Sequence, residues 1–313
     1  RRAAADLGVI RLVHISRLIE SLHLATPAGI DRVEIAYVQH FLSRAGQDDV
    51  RFVVTWPHFT GVLEAGYVKP LIDAVASRWA VGQGDPFRDN AIRRLRETLC
   101  DPLVTLNAGT PIRLGEPDTR AHLSNYRTIA AVMFRSHLRP LSQLVPELRK
   151  RGAWYVQVSP FLLSRPHRFS WLKDAGVRGL FMLHDLIPIE HPEYFRPGEA
   201  ARHRARLDTI LHNASVIVAN SEYTKRSLQR HVSGPIPRTE VLPLGIPPAF
   251  TERQDIEAFT PDIPYFVVVG TIEPRKNLEL LLSLWRRWTD NGATRRAHLV
   301  LVGRRGWEIE NVT

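Results

Sequence analysis

Cysteine is nearly absent: Cys100 is the only one in 313 residues. That excludes an internal disulfide framework and a Cys-based zinc site, and it fits a reducing compartment. Lysine is scarce too. Of 42 basic residues, five are lysines (Lys69, Lys150, Lys173, Lys225, Lys276), leaving 42 − 5 = 37 arginines against 32 acidic residues, a formal charge of +10. Such a balance raises nucleic acid or an anionic surface as a partner. The arginines are scattered, however, and with abundant Ala and Pro they read as the codon bias of a GC-rich genome. Local clusters such as Arg149-Lys150-Arg151 fall on expected helix surfaces. No nucleic-acid partner is therefore expected. Apolar runs are short as well: none approaches the ~18–20 residues that span a bilayer. Residues 7–15 are apolar but carry Arg11 and His14, which suits a buried strand better than a signal-peptide core. A cytoplasmic protein is expected, with peripheral contact at the inner membrane left open.

Familiar phosphate and catalytic signatures are missing. There is no GxxxxGK[ST], HExxH, CxxC or GxSxG, and Gly82-Gln83-Gly84 lacks the third glycine of a dinucleotide fingerprint. No two aspartates stand two apart, so there is no Asp-x-Asp clamp for a metal diphosphate. No metal and no resident cofactor are expected.

What is present is the make-up of an ordinary globular chain, 44% hydrophobic and 24% charged. Strands are predicted at 9–15, 51–55, 103–106, 154–158, 179–184, 216–219, 240–243, 265–270 and 298–303. Several are near-continuous apolar runs, such as Phe266-Val267-Val268-Val269, the pattern of strands buried on both faces of a parallel sheet. Helices are predicted between them at 31–44, 63–79, 88–99, 141–150, 197–212, 222–231 and 278–289. This alternation defines an α/β fold with a doubly wound parallel sheet. The segment 245–264, with Pro247, Pro248, Pro261 and Pro264, reads as an interdomain linker. It separates a first domain at 1–244 from the start of a second at 265–313. The second is too short for a core of its own. With no initiator Met before Arg1 and an incomplete second domain at Thr313, the chain is expected to be a piece of a longer protein.

Four segments carry chemistry. In Gly270-Thr271-Ile272-Glu273-Pro274-Arg275-Lys276-Asn277 the chain leaves an apolar strand and enters a helix. Ligands in open α/β sheets bind outside the carboxyl ends of strands, and helix N-termini favour anions. Arg275 and Lys276 place a fork-shaped donor beside a point charge there, which suits a diphosphate. A solvated helix start is the bland alternative. Thr26-Pro27-Ala28-Gly29-Ile30-Asp31-Arg32-Val33-Glu34 is a loop opening a helix. Gly29 would allow close approach of a ligand, and Asp31 and Glu34 have capping-box spacing. An ordinary tight turn is the alternative. In Leu183-His184-Asp185-Leu186-Ile187-Pro188-Ile189-Glu190-His191, His184 and Asp185 end a buried strand, placed to hold a sugar hydroxyl or orient a leaving group. A structural His at the strand end stays open, whereas a metal on His184, Glu190 and His191 matches no ligand spacing. In Val218-Ala219-Asn220-Ser221-Glu222, Asn220 ends a strand and Ser221 is an N-cap.

Together these segments resemble GT-B glycosyltransferases of the retaining family 4 type, the bacterial mannosyl- and related transferases of polysaccharide assembly. The resemblance runs through PAGIDRVE, LHDLIPIEHPEYF, VIVANSEYTKRSL with VLPLG, and VVVGTIEPRKNLELLL. It implies two Rossmann-like domains, a nucleotide diphospho-sugar donor with GDP-mannose as first guess, and a glycan or lipid-linked acceptor. It also implies His184 and Asp185 as catalytic residues and Arg275, Lys276, Gly29, Gly270 and Asn220 as donor-binding. The family's late Glu-x7-Glu motif is missing, since no two glutamates here are eight apart, and truncation accounts for that. Rival expectations are a GT-B epimerase or phosphorylase, a basic nucleic-acid binder, and an inactive partner subunit.

Overall fold

The computed structural model describes residues 8–21, 27–56, 59–80, 93, 95, 97, 137–246, 251, 264–292, 297–303 and 306. Contacts divide the chain into two units, the later boundary falling between Thr251 and Glu252.

The first unit holds a sheet of eight strands. They are β1 (Ile10–His14), β2 (Val50–Trp56), β3 (Phe59–Glu64), β4 (Arg139–Pro140), β5 (Ala153–Gln157), β6 (Arg178–Leu183), β7 (Ala214–Ala219) and β8 (Arg238–Val241). Their order across the sheet is β4-β3-β2-β1-β5-β6-β7-β8. β1 lies between β2 and β5, parallel to both, with Leu12 opposite Arg51 on one side and Tyr155 on the other. Ile10, Leu12 and Val13 are buried, as the apolar run of the sequence requires. From β1 the chain steps to β2 on one side and later to β5 on the other, so strand order reverses between β1 and β5. Ligands of doubly wound sheets bind at the carboxyl ends beside such a reversal.

Helices cover both faces. α1 (Ser16–Ser21), α2 (Gly29–Arg44) and α3 (Ala65–Ala80) pack with Val13, Val50, Phe52 and Val54. α4 (Leu141–Arg151), the single turn α5 (Ser170–Asp174), α7 (Glu199–Asn213) and α8 (Glu222–His231) bury the other face with Leu12, Tyr155 and Phe181. α6 (Ile187–Glu190) follows β6. Charge closes the amino-terminal end of the sheet. Arg51 makes two bonds of 2.9 and 2.7 Å to the Glu147 carboxylate and also bonds Asp49, while Arg151 reaches Asp49, Glu147 and the Gly8 carbonyl.

Over residues 264–303 the described part of the second unit forms one strand–helix–strand element. β9 (Tyr265–Val269) and β10 (His298–Val302) pair in parallel, and α9 (Leu278–Asp290) connects them.

The α/β class read from the sequence stands, with one difference. The sheet is mixed: β3 runs antiparallel to β2, with Trp56 opposite Phe59, and β4 antiparallel to β3. The helix expected from residue 63 begins at Ala65, because Val62 and Leu63 belong to β3 and are buried in it. α1 was also not anticipated. The strand expected at 103–106 lies outside the described residues. So does most of the helix expected at 88–99, of which Arg93, Leu95 and Glu97 are described and helical.

Candidate functional site

Six side chains from three stretches of sequence, Arg17, Ser21, Asp31, Glu34, Ser159 and His184, converge at the carboxyl ends of β1, β5 and β6. Arg17 on α1 donates its Nε to Asp31 Oδ1 at 2.8 Å. Asp31, fully buried, also accepts from the Ser21 hydroxyl and from the Ala28 N–H. The sequence spacing made Asp31 the cap and Glu34 its partner. Instead α2 starts at Gly29 with Ala28 as N-cap, so Asp31 occupies the third helical position and reaches back to the cap N–H. That is half of a capping box. Glu34, freed from that role, turns inward, is completely buried, and lies near Ser159 just past β5. Among the described residues no side chain or distant backbone lies within 4 Å of where a Gly29 Cβ would stand at the start of α2.

His184 closes the group. Its Nε2 lies 2.6 Å from the Val158 carbonyl oxygen, so the ring donates there and leaves the Nδ1 lone pair unengaged among the described residues. Burial holds the His184 pKa below its ordinary value. The Val158 carbonyl and Asp185 pull the other way, and the Arg17 charge adds to the lowering. The ring is therefore neutral at pH 7. Asp185 is partly exposed, and its Oδ1 accepts the Ile187 N–H at 3.1 Å, bracing the turn that leads into the short α6.

The strand-end segment is fastened to α8 by two sets of bonds. Thr224 Oγ1 lies 3.2 Å from the His184 carbonyl oxygen and 2.9 Å from Asn220 Oδ1, so its one proton serves either acceptor. The polar end of Asn220 thus has a partner within the protein. Ser221 caps α8, accepting the Thr224 N–H at 3.1 Å. Glu190, at the end of α6, accepts from Ser227, Tyr223 and Arg230 at 2.6, 3.1 and 3.0 Å. Burial alone would raise its pKa, but these three donors outweigh burial and lower it. With Glu190 so engaged and His191 facing solvent beside Glu193, the pair does not gather around His184. Among the described residues no three His, Cys, Asp or Glu side chains form a group fit to hold a metal ion.

In the second unit Gly270 directly follows β9 with φ +154°, a conformation that L side chains rarely adopt. A Cβ on Gly303, just past β10, would stand 1.7 Å from the Gly270 carbonyl oxygen, so the chain segments leaving the two strands meet backbone to backbone. The Lys276 side chain lies alongside, with its Cε 3.7 Å from where a Gly270 Cβ would stand. Arg275 and Lys276 belong to a 3-10 turn, Pro274–Lys276, that precedes α9, with Asn277 left-handed at φ 51° between them. Arg275 is ion-paired with Glu273. Lys276 has no side-chain partner among the described residues.

The structure thus gathers His184, Gly29 and Asp185 at one end of the first sheet, and Gly270, Arg275 and Lys276 at the strand end of the second unit. Sequence reasoning missed Arg17, Glu34 and Ser159. Glu34 was legible only as the capping partner of Asp31, and nothing local to Arg17 or Ser159 sets them apart, since their roles depend on what packs over them. Among the described residues no helix is long and apolar enough to cross a membrane.

No protein-family model matches the chain. It is similar to curated proteins described as serotype-specific mannosyltransferase WbdA of Escherichia coli. One is 23% identical over 161 residues, covering 45% of this chain and 19% of the relative. Another is 22% identical over 158 residues, with 45% and 19% covered. The match thus spans about a fifth of the length of these relatives. Among solved structures, the crystal structure of Glycyrrhiza uralensis UGT73P12 complexed with glycyrrhetinic acid 3-O-monoglucuronide covers 94% of this chain and 69% of its own. It does so at 12% identity and a TM-score of 0.32, a likeness too low to carry weight.

Proposed function

We propose that this chain belongs to a retaining GT-B glycosyltransferase that moves a sugar, mannose first, from a nucleotide diphospho-sugar to a glycan or lipid-linked acceptor. GDP-mannose is the first donor to test. The reading rests on one observation above the others: Arg275 and Lys276 stand between the carboxyl end of β9 and the start of α9. Anions are favoured at such a place by the helix dipole, free N–H groups and added positive charge. The similarity to mannosyltransferases over 45% of the chain supports the same reading. The first unit takes the acceptor side and the second the nucleotide.

The chemistry follows from charge. Transfer leaves a nucleoside diphosphate, and negative charge grows on it as the glycosidic bond breaks. Lys276 and Arg275 stabilise that charge without a metal, Arg275 by exchanging Glu273 for phosphate oxygens. His184, neutral and with Nδ1 free to accept, holds a hydroxyl of the donor sugar. Asp185 keeps the turn after β6 in place. Gly29 and Gly270 let substrate approach the backbone. A cytoplasmic site beside the inner membrane suits a lipid-linked acceptor.

A panel of labelled nucleotide sugars, offered with and without acceptor glycans to the full-length protein, tests this directly. One preorganised donor of this kind is worth roughly 3–4 kcal/mol in the transition state. Lys276→Ala is therefore expected to lower kcat/KM about a hundredfold or more. Near-normal kcat/KM in that variant, or sugar conversion without any acceptor, would overturn the assignment.

A further inference from the structure

Glu34 is a buried acid that the proposed reaction does not use. It is wholly shielded from solvent, and neither carboxyl oxygen has a hydrogen-bond partner among the described residues. The Ser159 hydroxyl, also buried and without a partner among the described residues, is near enough to favour the ionised carboxyl without reaching bonding geometry. Buried polar groups are ordinarily satisfied, and an unsatisfied one calls for a role. The position of this one is specific. Val158, the residue before Ser159, supplies the carbonyl that receives the His184 ring N–H.

We propose that Glu34 is a positioning residue for His184: its buried carboxyl, beside the buried Ser159 hydroxyl, holds the Val158–Ser159 segment in the place that orients the imidazole. Burial pushes the Glu34 pKa up to about 8, so the acid is protonated at neutral pH. Ser159 and Arg17 of α1 favour its charged form, whereas Asp31 on α2 opposes it. Tyr155 of β5 feels the Glu34 charge in turn. Once ionised, the carboxylate requires a donor, and turning the Ser159 hydroxyl toward it shifts the Val158–Ser159 backbone and with it the Val158 carbonyl that receives His184. His184 itself stays neutral across this range, because burial keeps its pKa low. The functional weight of this rests on the reading of His184 as a sugar-facing residue, whereas the coupling between Glu34 and His184 does not.

The test is the imidazole nitrogen spectrum of the full chain, labelled at histidine, with His184 assigned by its loss in His184→Gln. In the wild type the His184 signals are expected to move between pH 7 and 9 with a midpoint near 8. In Glu34→Gln, which keeps the shape and cannot ionise, they stay still over that range. Ser159→Ala, which removes the link, leaves His184 still even if Glu34→Gln does not fold. A His184 signal that ignores pH 7–9 in the wild type, or moves alike in the wild type and in either variant, overturns the proposal. Donor transfer is measured on the same samples. If the His184 signals follow Glu34 while no nucleotide sugar reacts, the coupling stands and the glycosyltransferase reading falls; transfer without the coupled shift has the opposite meaning.

Discussion

The Nε2 atom of His184 donates to the carbonyl of Val158 across 2.6 Å, joining the carboxyl ends of β6 and β5. One nitrogen is spent on structure and the other is left with a lone pair, so the two roles weighed for this histidine are served by different atoms. A neutral His184 is the working form, and burial keeps its pKa below 6.5. A histidine lowered in the folded state is lost to protonation as pH falls. The acid limb of kcat/KM should therefore have its midpoint below 6.5 and be missing in His184→Gln. A limb at or above 6.5 that disappears in the variant would refute this.

Glu34 affects stability with the opposite sign. Its pKa, raised to about 8 in the fold, makes a contribution fully present below the ordinary value of 4.5 and lost as pH rises through 8. Glu34→Gln should consequently match the wild type near pH 5 and exceed it at pH 9, by an amount on the order of a few kcal/mol. Denaturant melts at the two pH values measure it, and equal midpoints at pH 9 would contradict it.

At the other end of the sheet, the Glu147 carboxylate is held down to about 2, chiefly by its bonds from Arg51. A lowered acid contributes stability above its unfolded value of about 4.5, and that contribution fades as pH falls through 2. Because the Glu147 side chain is 40% exposed, solvent screening keeps the term small. Glu147→Gln should cost about 1 kcal/mol at pH 7 and almost nothing at pH 2. Thermal melts across that range would expose an error as a pH-independent difference.

Glu190 joins α6 to α8 through Ser227, Tyr223 and Arg230. Removing the carboxylate leaves the buried Ser227 hydroxyl without this acceptor. Glu190→Ala should lose about 2 kcal/mol of stability. It should also weaken nucleotide-sugar binding, because the His184–Glu190 segment is anchored there. Calorimetry of donor binding at a temperature where the variant is folded separates the effects, and unchanged affinity would show that the anchor does not reach His184.

The sequence alone determined the elements whose pattern is strong. β1, β5, β6 and β7 are apolar runs that water would reject on either face. α8 was legible to its boundaries, since Ser221 is a good cap and β-branched or turn residues follow His231. The strand-end positions of His184 and Asp185 and the basic pair before α9 follow from the same patterns. Tertiary structure decided the rest. β3 looks like the start of a helix because Gly61, Val62 and Leu63 carry too short a pattern to tell period 2 from 3.6; pairing with β2 settles it. Arg17, Glu34, Ser159 and His184 are far apart in the chain, and only the reversal of strand order between β1 and β5 brings them together. Whether a carboxyl such as Glu34 is a surface charge or a buried acid depends on what packs over it, and that is a property of contacts between elements rather than of any local stretch.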